Sequence, residues 1–304
     1  MTISESLFSV HVDVTNPGQF FACCGLFELA HRRWPGAEGW FDASRSKFAV
    51  SAIDTKANLE HLVKTLKTSS ISGLTEEERG ERERLEKEKR ELGRLQSLSK
   101  DKDRRRKELG EKARKGVLRL GDPFHMLLDW WQTADNEVTP KTWAGRQEIH
   151  KVARAAQDAL PLIDDGTPLF DCYCVLRAPK EYRGKASDGK KSVEPFYFDA
   201  RRFAHPLNAG FSLDVIGAET LAYPAVELLS LIGLQRFRPS PAPFKWSFDY
   251  WTWSSPLRVP VAAGVASGAV PAPGRVGYRF PLRFRDDQKR YKAFGWANMI
   301  GENP

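Results

Sequence analysis

The side chains best suited to acid–base or metal chemistry near neutral pH are the six histidines, His11, His31, His61, His125, His150 and His205. Their spacing supports neither role, because none belongs to an H-x-x-x-H pair, a His-Asp dyad or a cluster tied to a C-x-x-C turn. His125 and Asp129, four apart in PFHMLLDWW, would share a face if that segment were helical, but two donors do not complete a metal shell. Asp164-Asp165 reads as a loop after a helix. The cysteines fall as Cys23/Cys24 and Cys172/Cys174, which fits neither a zinc site nor a disulfide framework and suggests reduced, mostly buried thiols in a cytosolic protein. No phosphate-cradling G-x-x-x-x-G-K-[ST] loop, G-x-S-x-G elbow or strand-borne G-x-G-x-x-G occurs. The residues therefore predict no catalytic group, no metal and no cofactor.

What the sequence does offer is cation density. Between Arg177 and Lys191 lie Lys180, Arg183, Lys185, Lys190 and Lys191, opposed only by Glu181 and Asp188 and interrupted by Gly184 and Gly189. An adaptable loop of this kind suits phosphate oxygens, since each contact releases counterions, although a solubilising loop has the same composition. Arg201 and Arg202 follow FYFDA, and Arg146, Lys151 and Arg154 gather with His150 on one side of a helical pattern. Arginine adds a planar fork that grips phosphate and stacks on bases. In KWSFDYWTW, Trp246, Phe248 and Tyr250 alternate with Trp251 and Trp253, so one row could stack bases while the other fills a core, or both could be core. Gly264, Gly268, Gly274 and Gly277 would allow an RNA backbone to approach closely, or simply form a flexible loop between strands.

The elements holding these groups read as follows. The chain has 304 residues, 41% hydrophobic and 28% charged, enough for one large core or two modest ones, and its net charge of +8 favours polyanionic partners. Neither a signal peptide nor an apolar run long enough to span a membrane is visible, so a cytoplasmic location is expected. Phe8 to Val14 alternate like a strand, and FFACCGLFELAHRRW is apolar almost all round, as a buried helix would be. A strand near 47–52 and a helix carrying Leu59, Leu62, Val63 and Leu66 follow. Residues 141–160 predict an amphipathic helix, 169–176 and 195–198 strands, 220–235 a buried helix, and 245–253 and 276–285 aromatic-rich strands. Helices and strands mix without a βαβ rhythm. The expected class is α+β, a mixed sheet-and-helix core.

One segment breaks this pattern. Residues 76–119 hold 17 basic and 12 acidic side chains, and hence +5 of the total +8. Acid-before-base pairs four apart, Glu78/Arg82, Glu83/Lys87 and Glu86/Arg90, favour helix, and a turn near Ser97 to Ser99 makes the segment a charged helical hairpin. The chain then divides into 1–73, the insertion 74–119, and 120–304, and deletion of 76–118 should leave a folded protein. The hairpin's second arm bears the run Arg104, Arg105, Arg106, Lys107. Contact with DNA through that run, docking of a neighbouring subunit through the acidic arm, and a solvated excursion without a partner are all open.

The strings VDVTNPGQFFACCGLFELAHRRWPGAEGWF, LDWW with KTWAGRQ, PFYFDARRFAHPLNAGFSLD and AVELLSLIGLQRFRP resemble the third Csb family of CRISPR-associated proteins, which accompanies subtype I-U, also called I-G. The likeness spans most of the chain outside residues 74–119. It implies a non-catalytic, large-subunit-like component of a Cascade-type effector complex in antiviral defence. Its implied partners are crRNA, target double-stranded DNA, other effector subunits and a helicase-nuclease recruited to the complex. In such assemblies guide pairing reads sequence while protein grips backbones. Two other readings compete, a glycine-rich guide-RNA-processing endonuclease and a protein-only adaptor. The candidate nucleic-acid contacts are Arg146, Lys151, Arg154, Lys180, Arg183, Lys185, Lys190, Lys191, Arg201, Arg202 and Arg104 to Lys107.

Overall fold

Asn16, Pro17 and Gly18 start the helix around which the chain is assembled. In the computed structural model, which describes residues 8–54, 57–92, 97–132, 139–143, 147–163, 168–179, 192–202, 219–285, 289 and 291–301, α1 spans Pro17–Arg33. The Asn16 side chain accepts from the Gly18 amide at 3.1 Å, and Pro17 tolerates a first turn in which its missing N–H has no partner to lose. Because α1 is apolar on every side, it is buried from Pro17 to Ala30. Its main neighbour is α6 (Pro224–Gly233), buried along its whole length. The two backbones touch where side chains are missing: a Cβ on Gly25 would stand 2.0 Å from the Leu229 carbonyl oxygen, and one on Gly233 2.1 Å from that of Phe21.

Antiparallel sheets flank this pair. β1 (Phe8–His11), β2 (Glu38–Phe41), β3 (Lys47–Ser51) and β11 (Leu257–Arg258) lie in the order β1-β3-β2-β11, with Phe41 opposite Phe48. A second sheet runs β13-β12-β10-β9, from β9 (Ser240–Pro241), β10 (Ser247–Thr252), β12 (Val276–Phe284) and β13 (Lys292–Phe294), and β14 (Asn298–Met299) also pairs with β12. Phe248 faces Phe280 and Tyr250 faces Tyr278, so the inward row of β10 and β12 is aromatic. Tyr250 stacks on Phe20 of α1 at 4.3 Å, and wholly buried Trp253 donates from Nε1 to the Gly39 carbonyl at 2.7 Å. The aromatic alternation of KWSFDYWTW is thus used mainly for packing, at roughly 1.5–3 kcal/mol per buried ring.

The charged segment grows out of a third, small sheet, β4 (Ile71–Ser72), β5 (Leu118–Leu120) and β6 (Met126–Leu128). Ser72 lies opposite Arg119, so the insertion replaces the turn of a β-hairpin. It forms α3 (Glu76–Glu91) and α4 (Lys100–Lys115), the expected helical hairpin. Thr75 and Glu78 make a reciprocal capping box at the start of α3, and Ser99 caps α4. Ion pairs Glu78–Lys112, Glu81–Arg105, Glu86–Arg106 and Glu88–Lys102 zip the arms in antiparallel register. The hairpin also docks on α5 (Ile149–Asp158): Arg82 pairs with Glu148 at 2.6 Å, and His150 Nδ1 lies 3.2 Å from the Ala113 carbonyl oxygen. Leu118, at the end of the charged segment, is buried in β5. A clean excision therefore has to stop before it.

Together these elements are an α+β fold. Three expectations are corrected. Residues 141–160 do not form one helix: Thr142 accepts the Lys292 amide at 2.9 Å alongside β13, and α5 starts only at Ile149. The stretch expected to be a glycine-rich loop contains α7 (Val259–Ala266), because Pro260 suits a first helical turn and Val259, Ala262, Val265 and Ala266 are buried; the helix ends before Gly268, whose φ is +80°. His125 and Asp129 flank the strand β6 and share no helix face. Smaller differences concern 169–176, where only Cys174–Val175 is a strand (β7, paired with β8, Leu221–Ala222), and 195–198, which forms no strand and leads into a 3-10 turn at Ala200–Arg202. No helix among the described residues is long and apolar enough to cross a membrane.

Candidate nucleic-acid interface

Segments far apart in sequence meet at the N-termini of α1 and α6. Asn16 Nδ2 donates to Asp199 Oδ1 at 2.9 Å, while Asn16 Oδ1 accepts the Ala200 amide at 3.0 Å. Arg201 closes on the same carboxylate, from Nε to Oδ1 at 2.9 Å and from a terminal nitrogen to Oδ2 at 2.7 Å. It also pairs with Asp171 at 2.7 Å, donates to the Phe170 carbonyl, and lies 3.5 Å over the Tyr223 ring. Burial opposes its charge, but the bonds to Asp199 and the charge of that group raise the Arg201 pKa nevertheless. Glu227, wholly buried on α6, accepts weakly from the Phe198 and Asp199 amides, both at 3.4 Å. Burial, and then the charge of Asp199, push its pKa up to about 8.

Beside this junction, Trp130, Trp131 and Trp143 form a triangle with centroids 5.5 to 5.7 Å apart and planes steeply inclined. Phe196 and Phe198 pack on it. Parts of LDWW, KTW and PFYFDA are therefore one packed body. Their joint function is to hold segment 195–202 against α1 and α6.

The cations singled out in the sequence have different fates. Arg146, Lys180, Arg183, Lys185, Lys190 and Lys191 lie outside the described residues, as does Asp164-Asp165. Arg201 is committed to the junction. Arg154 pairs along α5 with Gln157 and Asp158, and Lys151 stands half-buried on the same helix. Arg105 and Arg106 hold the hairpin together, while Arg104 and Lys107 pair on α4 itself, with Asp101, Glu108 and Asp103, and keep most of their surface in solvent. Lys107 and Arg106 hold the Asp103 pKa down to about 2. Arg202 is unlike Arg201 despite being adjacent: its Nε is buried without a hydrogen-bond partner, and its 3-10 turn packs beside β13.

On β13 and its neighbours stands a group that sequence reasoning passed over. Lys292 Nζ lies 4.5 Å above the Trp246 ring and Lys245 Nζ 5.9 Å from it. Trp246 meets Phe284 edge-on at 5.6 Å, and Lys289 Nζ is 5.9 Å from the Phe284 ring. None of these three lysines has a carboxylate partner among the described residues. Lys292 is half-buried, and that burial lowers its pKa. Close by, Lys141 lies over Trp143, and Arg285 sits 3.2 Å over Tyr197 and 3.5 Å from Glu194. Glu194 is two residues beyond Ser192, which pairs with Arg177. The available signal was KRYKAF, where lysines recur among aromatics, read together with KWSF.

This corner combines features that suit a polyanion: ammonium groups with no carboxylate partner among the described residues, aromatic rings beside them, and one half-buried cation. All four cysteines are free thiols, Cys23 and Cys24 buried, with pKa values raised by burial. No group of three or more metal-ligating side chains assembles among the described residues. Comparison with protein-family models, with curated proteins and with solved structures finds no match.

Proposed function

We propose that this chain is a non-catalytic nucleic-acid-binding subunit of a type I CRISPR RNA-guided effector complex, subtype I-U or I-G. In this reading it holds a large-subunit-like place beside other effector subunits, works in the cytoplasm, and grips the backbones of guide RNA and target DNA before a helicase-nuclease is recruited. The sequence likeness supplies the biological setting. The observation that carries the binding role is the corner formed by Lys245, Lys289 and Lys292 over Trp246 and Phe284, where three cations have no described carboxylate partner. The 3-10 turn that carries Arg202 packs beside β13, and Glu194 meets Arg285 nearby. The segment considered for a glycine-rich RNA-processing role begins as α7, which weakens that alternative's structural premise.

Each lysine that neutralises a phosphate contributes about 0.7 to 0.9 to the slope of log K against log salt concentration. Lys245→Ala/Lys289→Ala/Lys292→Ala should therefore reduce that slope by about 2 to 3 for a labelled oligonucleotide, read by fluorescence anisotropy across a salt series. Unchanged affinity and slope would defeat the binding role. Copurification with neighbouring gene products and small RNA tests the assembly: a protein recovered repeatedly without either would not be such a subunit.

A further inference from the structure

A second polar site is built on other elements. The last turn of α1, the outer face of α2 (Leu59–Thr68) and the turn joining β5 to β6 enclose an open groove of about 540 Å3, lined by Arg33, His61, Thr65, Thr68, Ser70 and Asp122 among others. That volume suits a ligand the size of a nucleotide. Its walls are tied together by Arg32, which pairs with buried Glu28 at 2.8 Å and donates to the Phe124 and His125 carbonyls at 3.0 and 3.3 Å. Arg33 has no such duty. Its guanidinium lies 3.5 Å from His61 Nε2 and belongs to the groove.

The hydroxyls decide what else the groove can recognise. Thr65 donates its proton to the His61 carbonyl at 2.7 Å, Thr68 to the Thr65 carbonyl at 3.1 Å, and Ser69 also to the Thr65 carbonyl at 2.7 Å. With those protons committed to the helix, the oxygens of Thr65 and Thr68 offer the groove only lone pairs. The exposed carboxylate of Asp122, whose Oδ1 lies 3.2 Å from His125 Nε2, has further lone pairs to accept with. A fitting ligand thus needs an anionic group for the Arg33 fork and hydroxyl donors for a wall of acceptors. Ribose phosphate has both. A deoxyribose unit inside a DNA strand has no free hydroxyl, whereas every unit of an RNA strand keeps its 2′-OH.

We infer that this groove holds a ribose-phosphate unit of single-stranded RNA, with Arg33 on the phosphate and the Thr65, Thr68 and Asp122 acceptors on the 2′-OH. The inference rests on the nucleic-acid reading for its polymer but not on the lysine corner. The test uses the full chain and labelled single strands of identical sequence in three chemistries: RNA, DNA and 2′-O-methyl RNA, which can no longer donate. RNA should bind several-fold tighter than the other two. Thr65→Val/Thr68→Val, nearly isosteric and sparing the buried Leu62, Val63 and Leu66, should bring RNA down to the level of DNA, and Arg33→Ala should weaken all three about tenfold. Equal binding of the three strands by the unmodified protein, or an RNA preference that survives both the threonine replacements and 2′-O-methylation, would overturn the inference. The triple lysine variant separates the two sites, because loss of its contacts should lower RNA and DNA together and leave their ratio unchanged. A ratio of one with intact salt dependence defeats the groove alone, whereas absence of binding to any strand defeats the wider reading as well.

Discussion

The Asp199 amide donates to the carboxylate of Glu227 at 3.4 Å, while the Asp199 carboxylate is turned away to Asn16 and Arg201. Two acids wholly buried side by side are thereby kept in different states. One is charge-paired, and the other is held by burial at a pKa of about 8.

This arrangement has a pH signature. Between the ordinary glutamate pKa near 4.3 and about 8, the folded chain retains a proton at Glu227 that the unfolded chain has released, so this group's contribution to stability falls as pH rises through that window. The loss is about 5 kcal/mol across the whole range. Glu227→Gln keeps an acceptor for the Phe198 and Asp199 amides and removes the titration. Denaturant unfolding at pH 5 and pH 8.5 should show the wild-type disadvantage at high pH greatly reduced in the variant; an unchanged difference between the two pH values would refute this account.

Arg201 is expected to act on stability before affinity. Arg201→Ala leaves the buried Asp199 carboxylate without its main counter-charge and should cost about 3–5 kcal/mol. Adding Asp199→Asn should return part of that loss, since the uncompensated charge is then gone. If Arg201→Ala instead melts like the wild type and only weakens oligonucleotide binding, its role is on the surface rather than in the junction.

Lys292 predicts the opposite balance. Its half-buried ammonium has its pKa lowered by burial, and no described carboxylate compensates it. Lys292→Met conserves the packing on Trp246 and removes the desolvation cost, so the variant should melt at an equal or higher temperature while binding nucleic acid more weakly. A drop in both properties would mean that the ammonium is needed for folding.

The hairpin is removable only at the correct boundary. Replacing 76–115 by a short Gly-Ser turn should preserve the Ile71–Leu120 and Ser72–Arg119 pairing and cost about 1–3 kcal/mol, mainly the Arg82–Glu148 and His150–Ala113 contacts. Extending the excision through Leu118 removes a fully buried side chain and should cost about 2–5 kcal/mol more. Thermal melting of the two deletions distinguishes them; equal melting temperatures would show that β5 does not carry the expected load.

Local sequence determined a large part of this protein. The buried character of α1, the apolar α6, the alternation of β10 and β12 and the capped, charge-paired arms of the hairpin are all written in patterns shorter than twenty or so residues, because periodicity and capping depend on near neighbours. Residues 141–143 and 195–198 were not legible in this way: their hydrogen bonds go to distant strands and buried side chains, so local preference is overridden. The same reason governs the candidate sites. Cation density was visible in the sequence, but whether an arginine is free is settled by carboxylates far along the chain: Glu81 and Glu86 take Arg105 and Arg106, and Asp171 shares Arg201 with Asp199. Lys245, Lys289 and Lys292, unremarkable one by one, become a site only because three strand ends bring them to the rings of Trp246 and Phe284. Charge is a property of the residue, whereas the availability of that charge depends on its neighbours in space, and those are decided by tertiary packing.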